Sequence, residues 1–235
     1  KVAVDEAKHL SIEEIRRLIE GVHIGNRIVN PHFHLVDKEG FIKDEGMVYY
    51  DILCYIDVPQ EDGKNIRVYL NVEIQNNPYP GYSIITRGYA YVSRIVSGQW
   101  GSEYDYQHYD GMKKVYSLWI MPKAPKRKDG HMNVYETDER IICGTTVEEK
   151  EIYDKGVILA IYLNKEHDLN KKYEVYDELL TPLMVLLNNV LDYKGKQRII
   201  EEYGLNTKKI ESEVKDMCDL GESIALETRN EGKQI

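Results

Sequence analysis

The chain is 235 residues long, 42% hydrophobic and 30% charged, which excludes a disordered tail and a collagen-like repeat and leaves room for one large domain, or one with a satellite. Its net charge of −9 excludes a global pull toward nucleic acid, so any such contact must come from a local basic patch. No uncharged apolar window of about 18 residues exists, which excludes a membrane-spanning helix.

Size scaling predicts that folding buries roughly 70% of the unfolded surface, as expected of a soluble globular protein. No basic-then-apolar signal opens the chain, and the lysine start suggests a processed or trimmed one. Cys54, Cys143 and Cys218 are odd in number and far apart. They give neither a disulfide framework nor a zinc ligand set, which fits a cytoplasmic protein. The sequence leaves a homo-oligomer open.

Residues 11–20 (SIEEIRRLIE) open with a capping serine and place Ile12, Ile15, Leu18 and Ile19 at helical spacing, which predicts a helix. Residues 21–46 show no period and read as mostly irregular. Residues 47–58 (MVYYDILCYIDV) and 66–75 (IRVYLNVEIQ) are β-branched and aromatic. The turn signal PQEDGKN between them predicts a hairpin. Residues 82–97 predict a helix with Ile84, Ile85, Tyr89, Val92, Ile95 and Val96 on its apolar side and Arg87 and Arg94 opposite. Residues 114–121 (KVYSLWIM) read as a central strand, 123–130 (KAPKRKDG) as a basic loop, and 132–135 and 156–163 as further strands. Helices are expected over 179–191, 196–203 and 208–219, before a polar tail that frays. The order implies a mixed α/β core over residues 1–165 and a helical annex over 166–235.

Phosphate loops, dinucleotide fingerprints, G-x-S-x-G and H-E-x-x-H are absent. His32 and His34 lack a third ligand at metal-site spacing and read as surface histidines. The hairpin is different. Asn71, Glu73 and Gln75 alternate with Leu70, Val72 and Ile74, while Asp51 interrupts a run of core formers on the facing strand. Charges in mid-strand are costly to bury unless something binds them. Two convergent carboxylates, completed by a backbone carbonyl and waters, suit a hard cation such as Mg²⁺. The alternative is a set of solvent-facing polar positions.

The runs D-I-L-C-Y from Asp51, L-N-V-E-I-Q from Leu70, Y-P-G-Y with R-G-x-x-Y-x-S-R and a glutamine over 79–99, K-K-V-Y-S-L-W-I over 113–120, and E-V-K-D-M-C-D-L over 213–220 resemble the PD-(D/E)XK nuclease family transposases, relatives of the recombination-promoting nucleases. The resemblance spans residues 47 to 225 or so, and its E-x-Q with the R-G-x-x-Y helix is fairly specific. It implies a restriction-endonuclease-like core and Mg²⁺-dependent endonuclease cleavage of DNA phosphodiesters, with Mn²⁺ as a substitute, in recombination or mobile-element chemistry. Asp51 matches the family's metal-binding aspartate and Glu73 the acidic residue of its E-x-K/Q motif. The backbone carbonyl of Ile74 would complete the ligand set. Gln75 stands where most of the wider superfamily has lysine. A glutamine there can orient water by hydrogen bonds but adds no charge. The competing reading is a nuclease-fold binding module without catalytic power.

Arg87 and Arg94, seven residues apart on one helical face, and Lys126 and Arg127 in the basic loop are candidate DNA contacts, against readings as ion-paired scaffold and a solvated turn. Tyr91 and Gln99 match the family pattern as supporting residues, or are packing residues. The metal reading sets a geometric condition. A two-residue turn at Asp62-Gly63 places Asp51 opposite Ile74, on the wrong face. The site requires Asp51 opposite Glu73, through a three- or five-residue loop or a bulge.

Overall fold

The computed structural model describes residues 4–19, 33–35, 39–42, 46–49, 51–164, 168–187, 191 and 193–203. They form a mixed α/β protein whose chain divides into two compact units, residues 1–120 with 132–161, and residues 121–131 with 162–235. His32, Cys218 and the helix expected over 208–219 lie outside the described residues.

In the first unit, α1 (Ile12–Ile19) begins with a reciprocal cap. Ser11 Oγ accepts from the Glu14 N–H at 3.2 Å, and Glu14 Oε2 accepts from the Ser11 N–H at 2.8 Å. The unit is built on a six-stranded sheet in the order β1-β4-β5-β6-β8-β7, with β1 (Phe33–Leu35), β4 (Ile52–Pro59), β5 (Asn65–Ile74), β6 (Lys114–Met121), β7 (Met132–Tyr135) and β8 (Gly156–Tyr162). β4 and β5 are antiparallel while β5 and β6 are parallel. A separate pair, β2 (Glu39–Ile42) and β3 (Gly46–Tyr49), precedes β4.

The strand expected over 47–58 is therefore two strands. The ladder breaks at Asp51, whose N–H bonds a side chain instead of a facing carbonyl. β1 and β2 lie where irregular chain was expected, because runs of three and four residues are too short to show a period.

The hairpin turn is made by residues 61–63. The Gln60 N–H donates to the Lys64 carbonyl at 2.8 Å and the Gly63 N–H to the Gln60 carbonyl at 3.0 Å, with Gly63 at φ 79°. This three-residue loop needs a left-handed third position, which glycine supplies. It sets Ile52 opposite Val72 and Pro59 opposite Asn65. Continued by one step, this register puts Asp51 opposite Glu73.

Both sheet faces are covered. On one, Ala7, Leu10 and Leu18 pack with Cys54, Ile56, Val58, Val68, Tyr116 and Val157. On the other lies α2 (Ile84–Gly98), whose N-cap Ser83 accepts from the Thr86 N–H. Its buried residues are Ile84, Gly88, Tyr91, Val92 and Ile95, while Tyr89 is 49% exposed. This rotates the expected apolar side. Helix and sheet meet at a glycine: a Cβ on Gly88 would stand 3.1 Å from Trp119 Nε1 and from Ile158 Cδ1. The short α3 (Lys150–Tyr153) precedes β8.

The second unit carries α4 (Asp177–Leu186) and α5 (Tyr193–Glu202). Asp177 at the start of α4 accepts from the Tyr173 N–H, Thr181 Oγ1 and the Tyr203 hydroxyl at 2.6–2.7 Å. Buried Lys196 donates to the Leu186 carbonyl at the far end of α4.

Candidate functional site

Asp51 and Glu73 come together where β4 begins and β5 ends. The Asp51 N–H donates to Glu73 Oε1 at 3.2 Å, and the Ile74 N–H donates to Asp51 Oδ2 at 2.8 Å. The Glu73 carboxylate thus holds the Asp51 backbone, and the Asp51 carboxylate holds the backbone of Ile74, the residue after Glu73. A residue in a strand sends its N–H and C=O to the same neighbour. The Ile74 carbonyl accordingly faces the Asp51 side, while the Gln75 N–H donates to the Ile120 carbonyl on β6.

The environments of the pair differ. Asp51 is exposed, whereas Glu73 is only 4% exposed. Burial, with the neighbouring Asp51 charge second, pushes the Glu73 carboxyl up to about 8. Glu73 faces Trp119 across β5–β6, and Asn71 faces Ser117. These polar residues are buried under α2, not solvent-facing. Asn71 Nδ2 and Trp119 Nε1 both donate to Ser117 Oγ, at 3.0 and 2.9 Å. Asn71 Oδ1 is buried without a hydrogen-bond partner among the described residues. The site is rich in acceptors and short of positive charge.

Among the described residues, Arg87 is a cation whose field reaches it. Its guanidinium lies 5.4 Å from the Trp119 ring and 5.0 Å from the Tyr91 ring, and its field lowers the Glu73 pKa against the effect of burial. Tyr91 is buried edge-on to Trp119 at 5.3 Å and accepts hydrogen bonds from Arg87 through its hydroxyl. Arg94, half-buried, lies on the same helix about 10 Å further along its axis. Gln75 is half-buried, and its Nε2 donates to the Asn77 carbonyl at 2.7 Å, which draws the amide toward the following loop.

Gln99 is a structural clamp: Oε1 accepts from the Lys113 N–H at 2.8 Å and Nε2 donates to the Lys113 carbonyl, tying the end of α2 to the start of β6. Lys126 and Arg127 are exposed on a short 3-10 turn and belong to the second unit. Sequence reasoning missed Tyr82, Ser117 and Trp119. Only the parallel β5–β6 register, invisible in the sequence, brings the last two beside Asn71 and Glu73.

Among the described residues no group of three or more His, Cys, Asp or Glu converges. A cation held by two carboxylates must complete its shell from the backbone and water, which is how Mg²⁺ is commonly bound. The residues present fit such an ion. The oxygens of Asp51, Glu73 and Ile74 are hard donors, and a cation would offset the cost of ionising Glu73, which burial sets first and the Asp51 charge second. Comparison of the chain with family models, with curated proteins and with solved structures finds no match.

Proposed function

We propose that this protein is an endonuclease that hydrolyses DNA phosphodiester bonds at the Asp51–Glu73 site with Mg²⁺, or Mn²⁺ in its place. The observation that supports this reading is the hairpin register, which sets the carboxylate of Asp51 beside the buried carboxyl of Glu73. The nuclease class comes from the family resemblance that the D…E-x-Q pattern helps to carry. A mixed sheet with a helix on each face is compatible with a restriction-endonuclease-like core.

In the reaction, water adds across one phosphorus–oxygen ester bond and leaves a phosphate monoester and a free hydroxyl. Asp51, Glu73 and the Ile74 carbonyl would hold the cation, which when bound lowers the pKa of water and polarises the phosphate. The chain's own part is positional. The Ile74 and Asp51 N–H groups fix one oxygen of each carboxylate, Glu73 is buried, and Trp119, in register with it on β6, packs edge-on to Tyr91. With its Nε2 held by the Asn77 carbonyl, Gln75 is left to orient water through its amide oxygen. Arg87 and Arg94 in the first unit and Lys126 and Arg127 in the second are the proposed DNA contacts. Recombination or movement of a genetic element is the setting proposed from the family resemblance.

Plasmid nicking with Mg²⁺ or Mn²⁺ tests the proposal. The wild type nicks, and Asp51→Ala abolishes nicking. Binding of DNA without nicking in either protein favours the module without catalytic power.

A further inference from the structure

Arg87 is held in an unusual way. Among the described residues the hydrogen bonds of its guanidinium go to tyrosine hydroxyls alone: Nη1 to Tyr82 at 2.9 Å, and Nε and Nη2 to Tyr91. The rings of Tyr91, Trp119 and Tyr82 surround it, with centroids 5.0 to 5.9 Å from Cζ. No carboxylate forms an ion pair with it among those residues. Hydroxyls and π faces fix the guanidinium in place without neutralising it.

A half-buried guanidinium loses hydration and cannot shed its proton, so its charge stays available to an anion. It has more N–H donors than these bonds use, and their fork geometry matches a phosphate. The strand position where the nuclease resemblance would place a lysine holds neutral Gln75, whose amide nitrogen is engaged by Asn77.

We propose that Arg87 binds the non-bridging oxygens of the substrate phosphate at this site and supplies the positive charge that Gln75 lacks. Its role is thus at the reacting phosphate, not along the DNA backbone in general. The choice of a phosphodiester as ligand rests on the nuclease reading above. Held by aromatic neighbours rather than by a carboxylate, the charge need not break an ion pair to meet the anion, which is the preorganisation that stabilisation of a crowded phosphate requires.

Two measurements test this, the first independent of cleavage. Dimethyl phosphate, a minimal phosphodiester anion, is titrated in the presence of Ca²⁺ while the Arg87 Nε–H and Trp119 Nε1–H signals are followed by NMR. The wild type shows saturable shifts of both, and Arg87→Gln loses the Trp119 response while its spectrum confirms the fold. The second is single-turnover plasmid cleavage. Arg87→Gln slows it by about 100-fold or more, Arg87→Lys retains part of the rate, and Gln75→Ala costs less. Adding Gln75→Lys to Arg87→Gln recovers activity, which a structural role for Arg87 would not allow. A Trp119 response equal in the wild type and Arg87→Gln overturns the proposal, as does cleavage unchanged by Arg87→Gln. Shifts in a wild type that does not cleave would end the nuclease reading and leave Arg87 as a phosphate-binding residue.

Discussion

Glu73 holds its proton more tightly in the folded chain than in the unfolded one. Burial and then the Asp51 charge raise its pKa from the ordinary 4.5 to about 8. Between those values the folded state binds a proton that the unfolded state has released, so stability is greatest below 4.5 and falls as pH rises toward 8. The loss is on the order of a few kcal/mol. Thermal melts across this range, without divalent cations, are expected to show a declining midpoint in the wild type and a flatter profile in Glu73→Gln. Equal slopes in the two proteins would mean that Glu73 ionises freely. Added Mg²⁺ is expected to reverse the decline, because a cation displaces the proton that burial retains.

Two glycines set the elements that carry the site. Gly63 adopts φ 79° in open space, so a side chain there meets no neighbour and only the backbone objects. Gly63→Ala is expected to cost about 1 kcal/mol in urea unfolding, and Gly63→Asn less, since asparagine tolerates the left-handed region better. Gly88 is the opposite case. Its φ is ordinary, but a Cβ would press on Ile158 and Trp119 at 3.1 Å. Gly88→Val is expected to cost about 1–3 kcal/mol and to lift α2 from the sheet. Because Arg87 is the adjacent residue, cleavage should fall further than the loss of stability explains. A stable Gly88→Val protein with full activity would show that the close approach of α2 does not position the site.

The hairpin, α2 and the central strand were legible in the sequence because each shows a long, consistent pattern: ten residues of alternation in β5, a full helical stripe, and eight near-continuous apolar residues in β6. The register was not. Asp62-Gly63 reads equally as the centre of a two-residue turn or as the end of a three-residue one, and these differ by the single step that joins or separates Asp51 and Glu73. The buried side of α2 was legible only in part: Ile84, Val92 and Ile95 are buried as expected, but Gly88 and Tyr91 complete the buried face in place of Tyr89, and a glycine carries no apolar signal. That Asn71 and Ser117 would be buried together depended on strand order, which no local pattern encodes. At the scale of the whole chain, a net charge of −9 must be overcome by local cations. Replacing both Lys126 and Arg127 by glutamine should weaken DNA binding and reduce the slope of log K against log salt by about 1 per lost phosphate contact, measured by fluorescence anisotropy. An unchanged slope would remove the basic turn from the interface. The central claim is that Asp51 and Glu73 hold a divalent cation, and calorimetric titration with Mn²⁺ near neutral pH, in buffers of different ionisation enthalpy, tests it most directly. The wild type is expected to bind one ion per chain and release about one proton; Asp51→Ala loses the binding, and Glu73→Gln binds more weakly without proton release. No saturable binding in the wild type, or binding and proton release unaltered by both substitutions, would contradict the account.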